Sequence, residues 1–452
     1  MNSTNNMTAP VLIIFGITGD LSKRKLLPAL YRLVQQGLLP EATRIIGVSR
    51  HELDIDELLG STELCVLEKD NICDPEGIAK LRAAMSSFQL QPDQPADYQR
   101  LKAELETIDS DNRVFYMSIP PSAYAPIVEN LAAAGLNEPT SRLLVEKPFG
   151  YDLQSAEQLI SVMEQHFEEQ QVYRIDHYLA RETAQNLLTF RSSNPIFTPL
   201  WDSEHIESVH IKAYEKLGIE GRADFYEKTG ALRDLIQSHL LQLLAITLMD
   251  IPHNMTSEQI HLSKQHFLEQ LQPADPAEAH RAQYDSYRDE VSNSDSTTET
   301  YARMTVHHGT ERWQDVAMTL ETGKALDRKA TEIVIAFRTP HHDHPSNNLI
   351  FQIQPHEGIL LDLMVKQPGF DSEMRHTALK FDYASSFQDD QHIDAYERVL
   401  MDAVRADQSL FASSDEVLAT WRVLQPLLDD WADNSDGLGS YPAGTAADSI
   451  DF

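Results

Sequence analysis

The chain has 452 residues, 37 basic and 70 acidic side chains, a formal net charge of -33, 42% hydrophobic residues and two cysteines. This length and apolar content can build one large domain or two with substantial cores. The charge argues against a protein that grips DNA, RNA or an anionic membrane over a broad face, since all are polyanions. Cys65 and Cys73 are too few for a disulfide framework or a cysteine-rich zinc site, and fit a reducing compartment.

In chain order, Met1 to Thr8 is polar and uncharged, with no basic stretch leading an apolar one, so it does not read as a secretory signal. Val11 to Phe15 is a continuous apolar run ending at Gly16, the pattern of a strand buried on both faces. Apolar positions at 26, 27, 30, 33, 34 and 38 then keep a helical period, closed by Gly37 and Pro40. Arg44 to Val48, Val114 to Ile119 and Arg142 to Val145 read as further strands, each beside a helical stretch. This alternation over the first ~175 residues predicts an α/β, Rossmann-like, doubly wound parallel sheet.

The rhythm then changes. A helix is expected from Ala180 to Phe190, a strand from Ile206 to Ala213 and a second helix from Ala231 to Met249. Strand-like runs follow at Tyr301–Val306, Val316–Leu320, Glu332–Phe337, Leu349–Gln354 and Gly358–Val365. With no long helix between the last four, they predict an α+β domain with a large, mainly antiparallel sheet. The expected division is residues 1–175 for the dinucleotide-binding domain and 176–452 for the second. Ser86–Tyr98, Gln272–Tyr284 and Ser292–Thr300 read as surface excursions, and the acidic tail from Asp429 to Phe452 as loosely ordered. Leu240 to Ile251 falls far short of the ~20 apolar residues of a bilayer span and reads as a core or interface helix. His341-His-Asp-His344, flanked by Pro340 and Pro345, reads as a solvated loop rather than a metal site. The cytoplasm is the expected location.

Gly16-Ile-Thr-Gly-Asp-Leu21 stands where the first strand hands over to the first helix. Glycine there lets backbone N–H groups approach a pyrophosphate at a helix N-terminus, although an ordinary tight βα connection fits the same residues. Thr18 and Leu21 depart from the three-glycine fingerprint, and Lys23, Arg24 and Lys25 follow at once. The second strand ends Gly47-Val-Ser-Arg50, where NAD-selective folds place an acid for the ribose hydroxyl. Serine and arginine suit a 2′-phosphate, so NADP is favoured; a surface arginine is the plainer alternative.

Three further strings are Glu146-Lys-Pro-Phe-Gly150, Arg174-Ile-Asp-His-Tyr-Leu179 and the run from Glu220-Gly-Arg through Asp234 to His239-Leu-Leu-Gln. With the Gly16 turn, and with Thr322-Gly-Lys-Ala-Leu326, Ile353 to Gly358, Ala395-Tyr-Glu-Arg398 and Trp421 to Leu424, the ordered set resembles the glucose-6-phosphate dehydrogenase family over nearly the whole chain. The resemblance implies oxidation of β-D-glucose 6-phosphate at C1 to 6-phosphoglucono-δ-lactone, with hydride passing to NADP+, in the pentose phosphate pathway. Such chemistry requires a base of near-neutral pKa at the C1 hydroxyl. His239 matches that base and Asp176 its carboxylate partner; without the family, His239 reads as a core histidine. For the substrate, His177, Tyr178 and Arg181 match the phosphate cluster, and Lys324 and Lys329 its distal cations. Glu215 and Asp234 match the acceptors for sugar hydroxyls, and Gln354 a further polar contact. Lys147 matches a lysine serving both substrate and cofactor. For the cofactor, the match brings in Gly16, Thr18, Gly19, Asp20, Leu21, Lys25, Ser49, Arg50 and Tyr124. Asp234 and His239 are five apart, roughly 140° round a helix, so they need not share a face. The family implies a homodimer or dimer of dimers joined through the antiparallel sheet, and no metal.

Departures are local. Arg181 stands where relatives carry lysine, and its planar fork does not reproduce a point contact. Ser238 replaces an asparagine, which weakens positioning and raises the alternative of another phosphorylated or anionic sugar. Glu321 replaces an arginine that helps hold a second NADP+ in some relatives, and Ala282 replaces a glycine. The retained Lys147, Asp176 and His239 argue against a catalytically silent paralogue.

Overall fold

The computed structural model describes residues 8–66, 72–339, 346–371, 373–387, 393–434 and 436–450; the His341–His344 cluster lies outside them. The chain forms two compact units. The first comprises Met1–Gly150, Gln154–Ala180 and His392–Ser414, and the second Tyr151–Leu153, Arg181–Gln391 and Asp415–Phe452.

The first unit holds β1 (Val11–Phe15), β2 (Arg44–Ser49), β3 (Met85–Gln89), β4 (Arg113–Met117), β5 (Arg142–Val145) and β6 (Val172–Arg174). They form one parallel sheet in the order β3-β2-β1-β4-β5-β6. Every residue of β1 and β4 is buried, as the unbroken apolar run of β1 requires. Strand order reverses between β1 and β4, so their carboxyl ends open a crevice. The helix Leu27–Gln35 buries Leu27, Leu30, Tyr31 and Leu33 in a core that also takes Val399, Leu400 and Val404 of the returning helix Ala395–Arg405. β3 corrects the expectation of a surface excursion from Ser86. It is an edge strand that buries only Met85 and Phe88, so its sequence shows no apolar run. Cys65 and Cys73, too few for a disulfide framework, are joined by a single disulfide.

The second unit holds β7 (Ile206–Tyr214), β8 (Ala279–Tyr284), β9 (Tyr301–Val306), β10 (Ala317–Gly323), β11 (Ala330–Phe337), β12 (Asn348–Gln354), β13 (Gly358–Lys366), β14 (Met374–Asp382) and β15 (Leu438–Tyr441). Their order is β14-β13-β12-β11-β7-β10-β9-β8-β15, antiparallel except where β7 meets β10 and β8 meets β15. β8 lies within the expected excursion at 272–284. Its polar side chains are buried because they find carbonyls: Arg281 donates to Trp431 O and Asn434 O, and Gln283 to Thr298 O. The described part of the tail is ordered as well. The helix Ser414–Asp433 continues into β15, whose Tyr441 is buried and donates to Lys324 O at 2.7 Å. No described helix is long and apolar enough to cross a membrane.

Candidate functional site

In the first unit, a cavity of about 490 Å³ opens at the carboxyl ends of β1, β2 and β4. Gly16, Thr18, Gly19, Ser49 and Arg50 all line it; Asp20, Leu21, Lys25 and Tyr124 do not. Gly16 has φ +76°, and a Cβ there would stand 2.3 Å from Ser118 O, so glycine alone lets β1 turn this close to β4. The Ser22 hydroxyl fastens the turn, donating to Gly16 O at 3.0 Å and lying 2.9 Å from the Ser118 hydroxyl. Arg50 is exposed at the end of β2, with its carbonyl held by Gln89 and Gln91 from the β3 side. His51, Ser118 and Pro120 complete the cavity in positions the sequence did not single out. None of its lining residues is a carboxylate, although 70 of the chain's residues are acidic. That donor set fits a phosphorylated nucleotide. Tyr124 takes a different part: fully buried, its hydroxyl bonds both Glu146 N and Glu146 O at 3.1 Å and so holds the segment leading to Lys147.

Lys147 precedes a cis peptide to Pro148 and is partly exposed. Asp176 is buried, and its Oδ1 accepts from Tyr178 N at 2.8 Å and Leu179 N at 3.4 Å. This Asx turn fixes the loop after β6 and presents His177, whose ring centroid lies 5.1 Å from that of Tyr178.

In the second unit, the helix expected from Ala231 to Met249 is present as a continuous run of two geometries, and a separate helix precedes it. The helix Ala223–Ala231 breaks at Gly230, where φ is +64° and ψ 179°, and Leu232–Leu240 then winds with i→i+5 bonding before the α-helix Leu241–Leu248. This widening overturns the 140° separation of Asp234 and His239, because residues five apart are brought toward one face in such a turn. Both are buried, His239 at 1% exposure. The break is built around Glu299. Its carboxylate accepts from Leu232 N at 2.8 Å, its carbonyl accepts from Ala231 N at 2.9 Å, and a Cβ on Gly230 would meet its Oε1 at 2.3 Å. Sequence reasoning missed Glu299, which has no local signal 67 residues from the N–H it caps.

Lys324 follows β10 and is 3% exposed. Its ammonium is ion-paired with Glu215, lies 3.7 Å from Asp234 Oδ2 and stands 5.0 Å from the Tyr226 ring centroid. The structure therefore gathers Glu215, Asp234 and Lys324, two expected acceptors and one expected phosphate cation, into one cluster. Lys329 is exposed just before β11. Gln354 donates to the Thr331 hydroxyl at 2.8 Å. Arg181 stands at the N-cap position of the helix Glu182–Ser193 without a side-chain cap bond, and Glu357 anchors that helix by accepting from Thr183 N and its hydroxyl at 3.2 and 3.0 Å. The Ser238 hydroxyl donates to Asp234 O one turn back. Glu321 accepts from the Tyr301 hydroxyl at 2.6 Å and lies 2.7 Å from His210 Nε2, an acid held on the sheet where a cation was the alternative.

Two family models match. Residues 13–186 fit "Glucose-6-phosphate dehydrogenase, NAD binding domain" and residues 188–449 "Glucose-6-phosphate dehydrogenase, C-terminal domain". The chain is 38% identical to glucose-6-phosphate 1-dehydrogenase of Mycolicibacterium smegmatis, over 98% of this chain and 96% of that one. It is 38% identical to the Gluconobacter oxydans enzyme of the same name, over 96% and 93%. Among solved structures it resembles a glucose-6-phosphate dehydrogenase in complex with its substrate glucose-6-phosphate, with a TM-score of 0.92 and 32% identity over 98% of this chain and 96% of that one.

Proposed function

The chain belongs to the glucose-6-phosphate dehydrogenase family, and from that premise we propose that it oxidises β-D-glucose 6-phosphate at C1 to the δ-lactone with NADP+ as acceptor. Gly16, Thr18, Gly19, Ser49 and Arg50 would hold the cofactor, which when bound would supply the hydride acceptor. Everything else falls to this chain's residues. His239 takes the proton of the C1 hydroxyl as hydride departs, and Asp176 orients the imidazole and stabilises its charged form. Glu215 and Asp234, braced by Lys324, accept from sugar hydroxyls. His177, Tyr178, Arg181 and Lys329 hold the phosphate, Gln354 adds a polar contact, and Lys147 contributes a cation to both ligands. Ser49 and Arg50 favour the 2′-phosphate, and with it NADP over NAD.

The observation that supports this reading is the i→i+5 helix Leu232–Leu240, which carries buried His239 and buried Asp234, with Asp234 3.7 Å from the Lys324 ammonium that is ion-paired with Glu215. Initial rates on glucose 6-phosphate with each cofactor test it, in wild type and His239→Asn. NADP+ is expected to give the larger kcat/KM, and the variant to lose at least about 100-fold in kcat; an equally active variant removes His239 as the base. Ser238 favours one second reading, another phosphorylated sugar, because its hydroxyl is committed to Asp234 O. A sugar-phosphate panel separates the two. We further place the protein in the cytoplasm, in the pentose phosphate pathway, as a homodimer or dimer of dimers.

A further inference from the structure

We propose that the second unit carries an additional anion-binding site, in the cavity between the helix Glu182–Ser193 and the segment 250–255, and that it takes a small organic oxyanion with an apolar body. The cavity encloses about 570 Å³, within the size range of small-molecule sites, and none of its lining residues belongs to the substrate set above.

Its distinguishing member is Arg191, 7% exposed. The guanidinium donates to Ile246 O at 3.0 Å and Met249 O at 2.7 Å, at the end of the helix Leu241–Leu248, and lies 5.2 Å from the Trp201 ring centroid. A helix C-terminus offers it only partial negative charge. Among the described residues no carboxylate is ion-paired with it, and its Nε has no hydrogen-bond partner. A buried full charge without a counter-charge is costly, and native structures pair such groups. Burial and then repulsion from Arg312 pull the Arg191 pKa down to about 9, against a smaller upward pull from Asp250, which is not ion-paired with it; Arg191 is still a cation at neutral pH.

Arg312 lines the same cavity. It donates to Trp201 O at 3.1 and 2.9 Å and is ion-paired with Asp250, whose side chain is 77% exposed. Two guanidiniums against one well-solvated carboxylate leave a surplus positive charge, in a chain whose net charge is -33. Phe197, Pro252 and Met255 add apolar surface to the lining. Cations and apolar groups lining one cavity suit a phosphate or carboxylate head joined to a hydrocarbon body. Neither a bare inorganic ion nor a neutral molecule uses both.

Calorimetric titration tests this, with the full chain held in saturating glucose 6-phosphate so that the proposed catalytic phosphate subsite is filled. The probes are phenyl phosphate, benzoate, inorganic phosphate and phenol. At least one of phenyl phosphate and benzoate is expected to bind about tenfold or more tightly than inorganic phosphate or phenol. The stronger of the two identifies the head group. Asp250→Asn removes the competing carboxylate and should tighten that probe about fivefold, whereas Arg312→Gln should weaken it about tenfold. Asp250→Asn changes an exposed side chain, so the test survives if Arg312→Gln fails to fold. No binding by either organic anion up to about 10 mM overturns the proposal. So does a dissociation constant that Asp250→Asn leaves unchanged, which places the binding elsewhere.

Discussion

Glu146 is buried, at 9% exposure, with the Tyr116 hydroxyl donating to its Oε1 at 2.6 Å, and it adjoins Lys147. Burial pushes its carboxyl up to about 7, against the opposing pull of the Tyr116 hydroxyl and then of Lys147. The folded protein therefore keeps a proton that the unfolded chain releases above its ordinary value of 4.5. Between those two values the native state binds more protons, so stability falls as pH rises through the window and is level beyond it. Glu146→Gln, which cannot ionise, should abolish that fall and gain of order 3 kcal/mol over wild type near neutral pH relative to acid conditions. Urea midpoints at about pH 5 and about pH 8 check it; parallel shifts in both proteins refute it. The residue scale is also where sequence reading reached its limit. His239 and Asp176 have ordinary neighbours, and only the matched strings around them distinguished the pair from a core histidine and a loop acid. Ser238 was legible as a departure, but not that its hydroxyl would turn back onto Asp234 O.

Elements were legible where one face is apolar and the other polar, or where both are apolar. β1, β5 and β9 stand where their apolar patterns put them. β3, β8 and β15 were not legible, because each is polar or glycine-bearing and is held by partners remote in sequence: β2, β9 and the pair β8–β15 itself. The same remoteness holds the helices together. The helix Ser257–Glu269 meets Ser414–Asp433 through Lys264 and Glu416, both 0% exposed, with Nζ 2.8 Å from Oε2 and His261 Nδ1 2.7 Å from Oε1. Burial by itself would raise the Glu416 carboxyl, but Lys264 and then His261 outweigh it and hold it down at about 2. A depressed folded value contributes stability that is present in full above the ordinary 4.5 and is lost as pH falls toward 2. Glu416→Gln leaves Lys264 buried without its counter-charge and should destabilise by about 3–5 kcal/mol. A thermal or urea midpoint unchanged at neutral pH would show that the pair does not join these helices.

Across the whole molecule, a net charge of -33 repels both polyanionic ligands of the proposed reaction at long range. The cofactor cavity answers this locally, lined by Arg50 and free of carboxylates. In the second unit Lys324 braces Glu215 and Asp234, and Lys329 and Arg181 are the cations proposed for the phosphate. These contacts act over a few ångströms, whereas the surplus acid acts through the field of the entire surface. Salt separates the two ranges, since the screening length falls to about 8 Å at physiological ionic strength and exposed charges beyond it are largely silenced. Raising sodium chloride from about 0.02 M to about 0.2 M should therefore raise kcat/KM, by relieving repulsion on approach more than it weakens the short contacts. The same screening relieves the self-repulsion of the folded acidic surface, so the urea midpoint should rise over the same range. Steady-state kinetics and unfolding at matched salt concentrations read both effects. A monotonic decline of kcat/KM and of the midpoint from the lowest salt upward would mean that local cations, not the global field, govern binding and stability.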